Sequence, residues 1–471
     1  MGALRLQEQK PRFRKMWLLA WPAIIEQILG TLVNYVDTAM VGTMGATGTA
    51  AVSVNGPVIW LIGGILTGVG VGYSVQVSNA VGAGDMEKVK TTLRQAVLAT
   101  LVCGLTATAL YEVLGGKIPE WLGAKPEVLP HAINYLRIYA AALLFRGFQA
   151  VFGTTLRCMG DSKTPMVLNT VANLMNMVLN FLFIYPTRTW EGIHIFGLSI
   201  GEGLVIPGMN WGVEGAAIAT AISVAVTGLW MCAATLRKEP YRTSLREGMA
   251  PDRDIIRRAV KLGVPSALQN AIVNVGQIFM TSLVAHELTT VALAANQIAV
   301  TAESFCYMPA AGIGMAATAL VGQAVGAREK EDADAYGALT GGCAFLLCCV
   351  TGGILYLAAP VLAGFFNTDA GVVAGAAMAL QIVSIAEPFQ AVNMVLSSAL
   401  RGADDVRFPM VVGLVGMWCV RVPLAYVFVL GMKMELAGVW VAMTIDLIVR
   451  GVLCILRWKS GRWKKLSGLE T

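Results

Sequence analysis

Read for apolar runs broken by glycine, proline and charge, the chain divides into twelve long hydrophobic stretches. They lie at roughly 16–41, 52–78, 92–115, 131–153, 164–186, 213–236, 258–283, 292–321, 338–365, 372–399, 408–431 and 437–457. Each reaches the about 20 residues a helix needs to cross the hydrocarbon core of a bilayer. The pattern therefore predicts an all-α integral membrane protein embedded in a lipid bilayer. Composition points the same way: 56% of the 471 residues are hydrophobic and 14% charged, against roughly 25% charged in an average soluble domain. Mean hydropathy is +0.66, and twelve spans leave no room for a large soluble domain. The basic Lys10–Lys15 segment runs into an apolar stretch far longer than a signal-peptide core, so no cleaved signal is expected.

The 35 lysines and arginines sort by loop. The two tails and the even-to-odd loops hold 27, including eight in the 237–261 connection. The opposite loops hold four (Lys117, Lys125, Arg188, Lys433), and four lie within spans (Arg137, Arg146, Arg421, Arg450). The positive-inside rule then puts both termini on the cytoplasmic side of a cytoplasmic membrane. It also accounts for the net charge of +6 without a nucleic-acid partner. The longest outer loop, 187–212, is glycine-rich and is expected to form a surface hairpin or irregular cap.

The two halves repeat. Trp21-Pro22 returns as Val264-Pro265 at an offset of 243. Val81-Gly82-Ala83 returns as Val325-Gly326-Ala327, and Leu156-Arg157-Cys158-Met159-Gly160-Asp161 with Pro165 as Leu400-Arg401-Gly402-Ala403-Asp404-Asp405 with Pro409, all at 244. Six spans per half make the repeats parallel, related by a pseudo-twofold axis along the membrane normal, with substrate expected between them. The expected organisation is an amino-terminal lobe (1–236), a cytoplasmic linker (237–257), a carboxy-terminal lobe (258–457) and a basic tail (458–471).

Polar faces sharpen the picture. Gln27, Thr31, Asn34 and Thr38 share one face of the first span, and Asn270, Asn274, Gln277 and Thr281 share the equivalent face of the seventh. Two matched stripes flanking the axis predict a water-filled central cavity, although such residues also hydrogen-bond neighbouring helices. An ionisable group in mid-membrane costs about 2.5 to 3.5 kcal/mol on insertion scales and needs a partner, a cavity or a role. Asp37 lies about 33 Å along its helix from Lys15. The fifth span carries Asn169, Asn173, Asn176 and Asn180, with the last two at comparable depth. A carboxylate facing amides suits a proton or sodium ion, because amides hydrogen-bond either protonation state or supply oxygens. Its repeat-mate is Met280, so the acid stands in one half only.

Glu26 lies on the same helix face as Asp37. Glu303, and Glu387 with Gln390 and Asn393 beside it, are candidates to line the second half of the cavity; Arg146 is the repeat-mate of Gln390. For each of these acids a structural ion pair is the alternative. Asp446 and Arg450, at i and i+4, read as such a pair. Pro22 and Pro265 read as hinges or as helix-start prolines.

Other signals exclude functions. Nine cysteines fall almost wholly inside apolar runs and predict no disulfide. Gly68-Val69-Gly70-Val71-Gly72 follows no strand, so it is not a nucleotide loop. His131, His194 and His286 show no metal spacing. No catalytic cluster is visible, so an enzyme is not expected, nor any cofactor; sodium at Asp37 is the one metal considered, and a monomer is expected.

With two six-span halves, the phrase Trp21-Pro22 through Asn34-Tyr35-Val36-Asp37-Thr38-Ala39-Met40-Val41-Gly42, and the paired Leu156-Arg157 and Leu400-Arg401-Gly402 segments, the chain resembles the multidrug and toxic compound extrusion (MATE) family over nearly its whole length. The resemblance implies export of amphipathic, often cationic drugs by alternating access, driven by inward flow of protons or sodium. By position, Asp37 resembles the family's amino-lobe cation-site aspartate, Asn176 an asparagine of the same site, and Pro22 the proline where the helix bends. Asn180 stands where one branch has a second aspartate. Asn274 and Gln390 stand where the sodium-coupled branch has a glutamate and an aspartate. The alternative function is a flippase for a lipid-linked precursor, whose pyrophosphate cargo calls for a cavity rich in arginine and lysine.

Overall fold

The computed structural model describes residues 2–189, 193–195, 198–200, 205–245, 248 and 250–469. The first half comprises α1 (Gly2–Gly42), α2 (Ala46–Gly82), α3 (Met86–Leu114), a short α4 (Ile118–Trp121), α5 (Leu129–Ala141), α6 (Leu143–Cys158), α7 (Lys163–Phe183) and α8 (Gly212–Leu236). Between α7 and α8, β1 (Pro186–Thr189) pairs antiparallel with β4 (Val205–Met209), and β2 (Ile193–Ile195) with β3 (Leu198–Ile200). The expected outer hairpin is therefore present, although 190–192, 196–197 and 201–204 lie outside the described residues.

The second half comprises α9 (Arg253–Glu287), α10 (Thr290–Gly326), α11 (Lys330–Phe366), α12 (Ala370–Ser384), α13 (Glu387–Gly402), α14 (Arg407–Leu414), α15 (Val422–Tyr426), α16 (Glu435–Lys459) and α17 (Arg462–Leu466). Side chains fix several starts: Asp85 accepts from Lys88 N at 3.0 Å, and Asp369 from Gly371 N and Val372 N at 2.9 and 3.0 Å, satisfying amides that have no partner within the helix.

Among the described residues, ten helices are long and apolar enough to cross a membrane, and the pair α12–α13, bent by 57°, makes an eleventh. The twelfth expected span is the pair α5–α6, of 13 and 16 residues, each too short to cross alone. Two spans expected as single helices are thus broken, at repeat-related places. Ala142 N bonds Tyr139 O at 3.1 Å and Ala386 N bonds Val383 O at 2.8 Å, each closing a tight turn in place of the α ladder. Pro388, in the first turn of α13, removes an amide there; the amino-lobe break has no such proline. Pro22 and Pro265 both lie inside continuous helices, which removes the helix-start reading.

The lobes meet through exchange: α1 packs on α10, α2 on α9, and α2 crosses α10. In lipid, helix association depends on close packing rather than on hydrophobic expulsion, and small residues permit it here in repeat-related pairs. A Cβ on Gly82 would strike the Gln323 carbonyl, and one on Gly326 the Asn79 carbonyl; likewise Gly68 abuts Ala267 and Gly312 abuts Ile24. Ser78 donates to Ala319 O at 2.8 Å and Gln323 to Cys158 O at 2.9 Å, tightening the same end. Arg12 and Asp332 add an ion pair at 2.5 Å. The lobes are thus closed at the end that carries the termini. On the outside, Leu357, Phe365 and Val113 are 80%, 81% and 79% exposed, as a lipid-facing surface requires. All nine cysteines are free.

Candidate functional site

Two helices that run in the same direction, α1 and α7, build the first part of the site. Both carry polar residues eleven apart, so their side chains meet as two rungs. On the lower rung Asn169 Nδ2 donates to Glu26 Oε1 at 2.7 Å, and Arg157 of α6 forms an ion pair with the same oxygen. Glu26 and Arg157 are both buried. On the upper rung Asn180 Nδ2 donates to Asp37 Oδ1 at 2.8 Å. Asn176, with its amide nitrogen turned to the carboxylate, donates to both Asp37 oxygens at 3.0 and 2.8 Å, and its oxygen then accepts from Thr220 of α8. Asn176 and Asn180 are buried, and Asn180 Oδ1 has no partner among the described residues. Among the described residues no lysine or arginine pairs with Asp37. The asparagine column of α7 is therefore divided: Asn169 serves Glu26, Asn176 and Asn180 serve Asp37, and Asn173 is half-buried between them. Tyr35, two residues from Asp37, ties α1 to α10 by donating to Thr301 O at 3.1 Å.

The second part is a cavity of about 680 Å³ toward the hairpin end. The carboxy lobe dominates it: Asn274, Gln277 and Thr281 of α9, Tyr307 of α10 and Trp440 of α16 line it, facing Trp60 of α2. Asn270 instead lies against α2, where a Cβ on Gly64 would come within 3.0 Å of its own. Of the amino-lobe stripe, none lines this cavity. Thr31 and Thr38 turn back to Gln27 O and Asn34 O at 2.9 and 2.8 Å, a local bond that satisfies the hydroxyl within its own helix. Asn34 is exposed and Gln27 half-buried.

Among the described residues, one charged group reaches this cavity. Arg421 donates to Gln277 Oε1 at 3.2 Å and, through Nε, to Asp446 Oδ2 at 2.8 Å. Arg450 grips both oxygens of the same aspartate at 2.6 Å. The expected Asp446–Arg450 pair is thus a three-member cluster. It presses on Gly416, where any Cβ would collide with Arg450 and Asp446, and the chain there is π-helical over Val415–Arg421 and again over Val427–Gly431. Such wide turns carry an extra residue per turn and often mark functional positions.

The other acids sit apart. Glu303 is 2% exposed and Glu387 0%. Neither Glu387 oxygen has a partner among the described residues, nor has Glu303 Oε1. Neither residue lines this cavity; both belong to the interior of the carboxy lobe, Glu387 beside Gly352 of α11. Arg146 is exposed and forms no pair with Glu387, and Gln390 is half-buried. Sequence reasoning missed the aromatic wall of Trp60, Tyr307 and Trp440. It also placed Arg157 and Arg401 in loops, whereas they occupy the last turns of α6 and α13 and face inward.

A family model described as MatE matches residues 22–182 and 265–427, one segment in each half. The chain is 28% identical over 467 residues to the probable multidrug resistance protein NorM of Thermotoga maritima, covering 98% of this chain and 96% of that protein. It is 29% identical over 469 residues to the multidrug resistance protein MdtK of Pectobacterium atrosepticum, covering 96% of each. Among solved structures, MATE in the straight conformation superposes with a TM-score of 0.86 at 24% identity, covering 97% of this chain and 96% of that one. The bent conformation gives 0.84 at 24% identity, covering 96% of each. The duplicated six-span halves, the inter-lobe cavity and these matches make one statement: the chain belongs to the multidrug and toxic compound extrusion family of membrane transporters.

Proposed function

We propose that this chain is a multidrug exporter, a secondary-active antiporter that moves amphipathic organic compounds outward while a proton or a sodium ion moves inward at Asp37, Asn176 and Asn180. The observation that carries the proposal is the contrast between the two rungs of α1 and α7. Glu26 is neutralised by Arg157, whereas Asp37 is held by neutral amides. A carboxylate whose partners are neutral gains or loses a cation without breaking an ion pair, and amides accommodate both states. The names of the relatives support export of many compounds rather than of one.

In this reading both termini are cytoplasmic, the protein resides in the cytoplasmic membrane, and the closed end of the lobes faces inward. The 680 Å³ cavity then lies on the outer side of the gate, in the state that releases cargo outward, and its aromatic and methionine walls suit varied apolar compounds. Alternating access requires a ligand to bind the inward and outward states with different affinity, and charge change at Asp37 supplies that difference. Pro22, fifteen residues nearer the tail on α1, is the hinge on which the charge change acts. The flippase alternative is weaker, because Arg421, the charged group of the large cavity, already shares Asp446 with Arg450 and leaves little for a pyrophosphate.

The test is Asp37→Asn in purified protein reconstituted into proteoliposomes, with pH and sodium gradients imposed separately. Coupled efflux is expected to disappear while expression and folding persist. The gradient that drives the wild type identifies the ion. Efflux at the wild-type rate in Asp37→Asn overturns the coupling role.

A further inference from the structure

A second cavity of about 280 Å³ lies between the lobes on the closed side. Its walls come in repeat-related pairs: Thr154 with Ser398, Ser74 with Thr318, and Arg157 with Arg401. It therefore sits on the pseudo-twofold axis, yet its charges do not obey the symmetry. Arg157 is paired with Glu26, which Asn169 also holds. At the repeat-related places stand Gln269 for Glu26 and Gly413 for Asn169, and these two lie against each other, with a Cβ on Gly413 falling 3.3 Å from the Gln269 side chain. Arg401 thus reaches neutral groups: its Nε donates to Ser397 O at 3.2 Å and its Nη2 to Ser398 Oγ at 3.5 Å. Gln269 Oε1 is buried without a partner among the described residues. The nearby acids are engaged elsewhere, Asp404 by Arg258 at 2.6 Å and Asp405 by Arg457 at 2.8 Å.

We propose that this axial cavity is a binding site for a small anion, held by Arg401 with the side-chain amides of Gln269 and Asn393. A guanidinium removed from water without a counter-charge is strongly unfavourable, and the carboxylate that answers it in one lobe is missing from the other. Thr67, Thr154, Thr318 and Ser398 spend their hydroxyl protons on backbone carbonyls, so the donors that remain on the walls are the Arg401 guanidinium and the side-chain amides of Gln269 and Asn393, and no carboxylate lines the walls among the described residues. A guanidinium flanked by amide donors is the chemistry that selects a halide, a carboxylate or the acid group of a cargo molecule. An anion here contacts both lobes at once, and it stabilises the arrangement in which α2 and α10 are closed. Glu26 and Arg157 complete the charged surroundings and cancel each other, leaving the net positive charge at Arg401.

The experiment is a melting curve of the purified full-length protein in detergent, titrated with sodium chloride or sodium acetate from a salt-free baseline. The wild type is expected to show a saturable rise in melting temperature. Arg401→Gln is expected to raise the half-saturating concentration at least about tenfold. Gln269→Glu, which restores the carboxylate of the other lobe, is expected to abolish the rise, and it doubles as the control for ionic strength. Asp37→Asn is expected to keep the rise, which separates this site from the coupling site. Benzoate against benzamide then distinguishes the sources. Benzoate acting well below the acetate range assigns the anion to the acid group of a cargo; benzoate and acetate acting alike assigns it to a free small ion. A wild type with no saturable rise, or a rise of equal midpoint in Gln269→Glu and Arg401→Gln, overturns the proposal.

Discussion

The two lobes share a scaffold and differ in what they do with their acids. In the amino lobe, α1 presents Glu26 and Asp37 to amides of α7 at matched spacing. In the carboxy lobe the same positions of α9 hold Gln269 and Met280, so that ladder is gone. The carboxy lobe instead places Asp446 between Arg421 and Arg450, across α16 and the π-helical stretch. The upper-rung acid of one lobe is surrounded by groups that leave its charge state free; the clamped acid of the other is fixed by two cations. Loops remained constant meanwhile: Asp161 N bonds Leu156 O at 3.0 Å and Asp405 N bonds Leu400 O at 2.9 Å. Even their left-handed residues coincide, Gly160 at φ 89° and Asp404 at φ 63°, although the aspartate lacks the freedom of glycine there. Duplication thus preserved the turns that set helix positions, and the chemistry of the two halves diverged inside that frame.

The largest expected effect separates the two rungs of the amino lobe. Glu26→Gln leaves Arg157 buried beside an amide, and removing one partner of a buried pair costs about 3–5 kcal/mol. Denaturation in detergent is expected to show that loss, while the molecules that remain folded retain coupled transport. Asp37→Asn is expected to do the reverse. A Glu26→Gln protein of undiminished stability that no longer transports would make Glu26 part of the ion path and erase the contrast.

Periodicity carried the sequence reading a long way. The twelve apolar stretches, the offset of about 243 residues and the match in depth between Asp37 and the pair Asn176 and Asn180 all follow from helix spacing. What periodicity does not encode is where a polar face is spent. Thr31 and Thr38 have the spacing of cavity residues, yet they bond their own helix, whereas Asn274, Gln277 and Thr281 with equivalent spacing line the large cavity. Arg157 and Arg401 were hidden for a different reason. They stand at helix ends, where charge ordinarily means solvent, and the crossing of α2 and α10 brings those ends into the interior. The break at Ala142 was equally silent, because alanine favours an unbroken helix and the bend is imposed by packing, whereas Pro388 marks the break at Ala386 in the sequence.

The next effect tests how symmetrical the closed end is. Gly82→Ala and Gly326→Ala each push a methyl group into a backbone carbonyl of the opposite helix, and overpacking of this kind costs about 1–3 kcal/mol. Because the contacts are repeat-related, both substitutions are expected to loosen the closed end to a similar extent. The readout is maleimide labelling of Ser78→Cys, a position with 0% exposure, which is expected to speed up in either glycine variant. Faster labelling in one variant alone would mean that a single lobe controls closure.

The smallest effect concerns two ion pairs at that end, Asp161 with Lys238 at 2.5 Å and Asp405 with Arg457 at 2.8 Å. Burial pushes the Asp161 carboxyl upward, but bonds from Lys238 and Thr164 outweigh it and hold the group below its ordinary range. A depressed carboxyl contributes its stability in full above the unfolded value, near about 3.9, and loses it as pH falls through the lower folded value. Lys238→Gln removes the positive charge beside the carboxyl and brings the folded value back toward the unfolded one. Its unfolding free energy, measured by denaturation in detergent, is therefore expected to fall short of the wild type at neutral pH by no more than about 1 kcal/mol, with the gap narrowing below about pH 4. Arg457 is the better buried cation of the two pairs, with a side chain 16% exposed against 37% for Lys238. Arg457→Gln is accordingly expected to cost more than Lys238→Gln. Equal losses would mean that burial does not set the strength of these pairs.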